Sequence, residues 1–127
     1  MFMRQFKTAT IAAAFLLLSG CGPAKLNETR NYEMEPGNPK GFILSKQSKP
    51  QTVTIEFKSS DADVTVLLFN SEDVTDNNAD DVDSAKALGF KTGKAETFTV
   101  NVPENTEARL VVRGNKRSTK VDLKVTN

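Results

Sequence analysis

Residues 51–69, QTVTIEFKSSDADVTVLLF, decide the fold. Val53, Ile55 and Phe57 alternate with Thr52, Thr54 and Glu56. A period of two rich in β-branched residues is the mark of a strand with one buried face. Ser59, Ser60 and Asp61 supply a turn of short polar side chains. The following run, VTVLLF at 64–69, is apolar at every position but Thr65. A strand of that kind belongs in the middle of a sheet, covered on both faces.

The same grammar continues in both directions. Residues 41–46 (GFILSK) and 86–91 (KALGFK) read as short strands. In 95–102 (AETFTVNV), Phe98, Val100 and Val102 oppose Thr97, Thr99 and Asn101, and Pro103 ends the run. In 108–113 (ARLVVR), Leu110 and Val112 point inward, with Arg109, Val111 and Arg113 outward. Gly114 and Asn115 suit a tight turn with positive φ. In 119–125 (TKVDLKV), Val121, Leu123 and Val125 are buried and Lys120, Asp122 and Lys124 exposed. No helical period follows residue 21. Six or seven short strands punctuated by turns predict an all-β fold over residues 40–127, a small antiparallel β-sandwich of jelly-roll or Ig-like arrangement. About twenty inward side chains, each worth about 1.5–3 kcal/mol on burial, suffice for such a domain without disulfides.

Before the domain, Arg4 and Lys7 precede an apolar run at 8–18 (TATIAAAFLLL), followed by Ser19, Gly20 and Cys21. A basic stretch, a short apolar stretch and a small-residue cleavage site define a signal peptide over residues 1–20, a helical segment removed from the mature protein. The run is shorter than the roughly 20 residues that span a bilayer. Leu18, Ser19, Gly20 and Cys21 resemble the lipobox of bacterial lipoproteins. That resemblance implies cleavage before Cys21, a diacylglyceryl group on its sulfur and acylation of its new amino group. It also implies a cell-envelope location. Gly22 in place of Asp implies, under enteric-type sorting, the outer membrane if the envelope is Gram-negative. Cys21 is the single cysteine, so no intramolecular disulfide forms. Residues 21–39, with Pro23, Pro36 and Pro39 and few large apolar groups, read as the lipidated cysteine and a flexible tether. Such a tether reaches about 25 Å.

The strands also resemble, in their order, bacterial pre-peptidase C-terminal domains. The matching stretches are 51–55, 59–69, 96–103 and 121–125. Leu110, Val111 and Val112 stand where that family commonly has an aromatic-Gly-x-Tyr segment. The resemblance implies a β-sandwich.

Composition narrows the chemistry. The 127 residues contain 17 Lys and Arg against 16 Asp and Glu, for a net charge of +1. Loss of Arg4 and Lys7 with the signal brings it to about −1. A nucleic-acid binder would carry a strongly basic face, so no nucleic-acid partner is expected. Histidine is absent, which excludes Ser–His and Cys–His catalytic pairs and histidine-bound zinc. No carboxylate pair stands out, and the protein is read as a non-enzyme.

Two charged segments offer binding chemistry. Asp61, Asp63, Glu72, Asp73, Asp76, Asp80, Asp81 and Asp83 share a stretch without Lys or Arg. Within it Asp76, Asn78 and Asp80 fit D-x-N-x-D, which sets oxygen ligands at alternate positions as calcium requires. Asp81 stands where an EF-hand loop has glycine, and Ala87 where it has glutamate. A solvated acidic loop without a cofactor is the competing expectation. Arg109, Arg113, Lys120 and Lys124 are expected on one outer face of the last hairpin. There they would meet an envelope protein or an anionic surface, or protect the sheet edge from aggregation. The reading is a lipid-anchored, non-enzymatic envelope binding or accessory module, held to the membrane through Cys21. The alternatives are a calcium-dependent adhesive or glycan-binding sandwich and a small envelope hydrolase.

Overall fold

A computed structural model describes residues 25–127. The predicted signal peptide and Cys21 lie outside the described residues. Eight strands follow one another: β1 (Asn27–Met34), β2 (Lys40–Leu44), β3 (Gln51–Ser59), β4 (Val64–Asn70), β5 (Gly89–Gly93), β6 (Ala95–Val102), β7 (Ala108–Arg113) and β8 (Thr119–Thr126). Two 3-10 turns, Ser71–Asp73 and Ser84–Lys86, lie between β4 and β5. The sheets are β1-β8-β3-β6 and β2-β7-β4-β5, antiparallel throughout.

The pairs β1·β8, β2·β7, β3·β6 and β4·β5 nest inside one another. The chain is therefore one long hairpin, with residues 71–88 at its tip, rolled so that successive nested pairs fall in alternate sheets. Lateral pairing of β3 with β8 and of β4 with β7 closes each sheet. This is the jelly-roll arrangement of a double-sheet sandwich, and it settles the choice against an Ig-like strand order.

The core lies between the sheets. Val53, Ile55 and Phe57 of β3 and Val121, Leu123 and Val125 of β8 face Val64, Val66 and Leu68 of β4 and Leu110 and Val112 of β7. Phe98 packs edge-on against Phe57, with ring centres 6.5 Å apart and planes at 84°. β4 lies inside its sheet, between β7 and β5. Its outer face, Leu67 and Phe69, is apolar as well.

Three expectations need correction. The predicted tether contains a strand: β1 pairs along its full length with β8, from Asn27 opposite Thr126 to Met34 opposite Thr119. Ladder hydrogen bonds hold it, and its inward side is Glu28, Arg30, Tyr32 and Met34, so apolar alternation did not mark it. The domain therefore begins well before residue 40. The predicted strand at 86–91 starts later, as β5, because Asp83 caps the 3-10 turn Ser84–Lys86 through its side chain. Positive φ occurs among the described residues at Gly37, in the β1–β2 turn, and at Asn105 rather than at Gly114.

Candidate functional site

The two outer faces of the sandwich differ. On the β2-β7-β4-β5 sheet, Leu67 and Phe69 of β4 and Val111 of β7 form a second buried cluster with Val74 and Ala79 of the tip segment. Val82 and Ala87 pack against it. The acidic segment is thus a cap folded over its own sheet. Two arginines hold it there. The Arg113 Nε donates to the Ala79 carbonyl at 2.9 Å and one Nη to the Val82 carbonyl at 2.7 Å, with Cζ 5.8 Å from the centre of the Phe69 ring. Arg109 forms an ion pair with Asp76. The expectation of a loop shaped by charge alone is corrected: apolar residues spaced through it bury the outward face of β4.

Two of the three predicted calcium ligands are engaged. Asp76 pairs with Arg109, and the Asn78 amide oxygen accepts the Thr75 N–H at 2.7 Å. Asp80 is exposed. Among the described residues no group of three or more Asp, Glu, His or Cys side chains gathers as a metal site.

The predicted basic face is divided. Arg109 and Arg113 stand on β7 and clamp the cap, whereas Lys120 and Lys124 stand on β8 in the other sheet. Parity places a side chain inward or outward, but it does not say which sheet a strand joins.

Among the described residues, none forms such a cap over the outer face of the β1-β8-β3-β6 sheet. Lys124 lies opposite Glu56, and Asp122 opposite Lys58, in the β3·β8 register. Glu33 of β1 lies opposite Lys120 of β8. None of these three pairs closes to an ion pair among the described residues. Thr29, Thr97 and Thr99 continue the rows onto β1 and β6. A shallow hollow of about 410 Å3 lies here, with Thr29, Glu56, Lys58, Thr97, Asp122 and Lys124 along it. Cations and anions alternate in rows across the strands, with hydroxyls at the margins. Glu56, Lys58, Thr97 and Asp122 were legible as outward residues from their parity. Their assembly into one face depends on the order β1-β8-β3-β6, which nothing local in the sequence encodes.

Beside this face, burial pushes the Tyr32 phenol above its ordinary pKa, and the nearby Arg30 opposes the shift. The distal end is built around a buried hydroxyl. Thr119 Oγ1 accepts the Asp61 N–H at 2.9 Å and lies 2.6 Å from Ser59 Oγ. Ser59 gives its own proton to the Ala62 carbonyl, so Thr119 donates to Ser59. The β3–β4 turn is thereby fixed to the start of β8.

Compared with protein-family models and with curated protein sequences, the chain matches none. The site is therefore read from its own residues.

Proposed function

We propose that the protein is a lipid-anchored, non-enzymatic binding module of the bacterial envelope, engaging its partner through the bare outer face of the β1-β8-β3-β6 sheet. The observation that supports this most is the asymmetry of the two faces. One is sealed by an apolar cap from its own chain, and the other is left as an open hollow with side-by-side charges that form no ion pairs. Charges in that state retain hydrogen-bonding capacity for an incoming protein surface, where alternating signs set register and exclude mismatched partners. Leu18, Ser19, Gly20 and Cys21 supply the anchor. Two or more acyl chains on Cys21 hold the module durably at the membrane.

The test has two arms on the full chain. Cys21→Ser should move the protein from the membrane fraction to the soluble fraction. Lys58→Glu with Lys124→Glu should abolish recovery of the native partner while leaving membrane retention unchanged, and the like charges it sets opposite Asp122 and Glu56 should lower the melting temperature only modestly. Undiminished recovery with the doubly reversed face would refute the assignment of the face.

A further inference from the structure

β1 and β2 are edge strands of opposite sheets, so the sandwich is open along the seam between them. A cleft of about 350 Å3 follows this seam, with Lys25, Arg30, Phe42, Ile43 and Gln47 on its walls. Ile43 is 51% exposed, unusual for a large aliphatic side chain on so small a domain. The Arg30 guanidinium lies 4.5 Å above the Phe42 ring and binds Glu28 at 2.6 Å. Lys46 and Lys49, in the β2–β3 connection between wall residues Leu44 and Gln51, add to the cations. Glu28 is the acid in the cleft wall, and Arg30 already occupies it. The seam is thus a basic, partly apolar strip on a mature chain whose net charge is about −1. The β6–β7 turn, with Glu104 and Glu107, borders it where the Asn105 N–H donates to the Gln47 carbonyl at 2.7 Å.

The anchor enters at this same corner. Leu26 is fixed to the domain, its N–H donating to the Asn127 side chain at 2.8 Å. Five Cα steps separate Leu26 from Cys21, at most about 18 Å of extended chain. A corner held that close to lipid headgroups lies within about two Debye lengths of their charge at physiological ionic strength.

We propose that the β1–β2 seam is a membrane-contact surface that rests on anionic phospholipid headgroups of the leaflet holding the anchor. The inference rests on lipidation of Cys21. Lys25, Lys46 and Lys49 meet the phosphates, and Ile43 reaches into the interface. The bare face, on the adjoining sheet, is then held upright and open to partners.

The test uses the full lipidated protein in vesicles of phosphatidylcholine with or without phosphatidylglycerol. Acylation occupies Cys21, the natural cysteine, so an introduced cysteine is the one free thiol. A fluorophore on Ile43→Cys should be quenched by headgroup-linked quencher several-fold more than one on Thr97→Cys. Phosphatidylglycerol should increase the difference, and Lys46→Glu with Lys49→Glu should remove it. Equal quenching at both positions in acylated protein overturns the seam assignment alone. Protection of Ile43 by a second copy, seen as concentration-dependent crosslinking, also overturns it. Mass spectrometry of the N-terminal peptide reports the anchor separately, and an unmodified Cys21 fails both readings.

Discussion

At the scale of single residues, buried polar groups carry more consequence than the surface charges. Thr119 satisfies the Asp61 N–H and Ser59 at once from a site only 4% exposed. Thr119→Val keeps the shape and removes the hydroxyl, leaving the Asp61 N–H without this partner and Ser59 with its bond to the Ala62 carbonyl alone. The expected loss is about 1–3 kcal/mol, or several degrees in melting temperature for a domain of this size. Tyr32 gives a pH signature. Its folded pKa is raised by burial, so its contribution to stability is fully present below the unfolded value near 10 and is lost as pH rises through the folded value. Tyr32→Phe should flatten the fall in melting temperature above pH 10. The sequence exposed neither residue: a threonine at the start of a strand and a tyrosine among polar neighbours carry no local sign of burial.

At the scale of elements, legibility followed the strength of the apolar period. Val53, Ile55 and Phe57 in β3 and Phe98, Val100 and Val102 in β6 marked their strands closely. β1 was missed because its inward positions are Glu28, Arg30 and Tyr32, and its stability comes from pairing with β8 across the whole sandwich. The cap was half legible. Leu67, Phe69 and Val111 are apolar on an outward face, a mismatch that calls for a covering element, while Val74, Ala79 and Val82 sit diluted among acids. Arg113 joins the two, so Arg113→Ala should loosen the cap without unfolding the core. Hydrogen exchange across residues 74–88 should quicken, with global stability falling by about 1–3 kcal/mol for the lost charged hydrogen bonds. Uniform acceleration across both sheets would instead mean that the cap and the core unfold as one unit.

At the scale of the whole molecule, the rolled hairpin separates three surfaces: a capped face, a bare face and a basic seam beside Leu26, the side from which the proposed anchor would reach the domain. The β-sandwich was legible from strand count and alternation. The jelly-roll order was not, because each pair joins segments far apart in the chain, from β4·β5 at the tip to β1·β8 at the termini. That same order divides Arg109 and Arg113 from Lys120 and Lys124 and brings Glu56, Lys58 and Thr97 beside Asp122 and Lys124. The central claim is that the bare face meets the partner. The most direct measurement is in-cell photocrosslinking from a photoreactive residue at Thr97, compared with one at Lys86 on the cap. The account predicts one dominant protein adduct from Thr97 and none from Lys86. The same adduct from both positions, or an adduct from Lys86 alone, would contradict it.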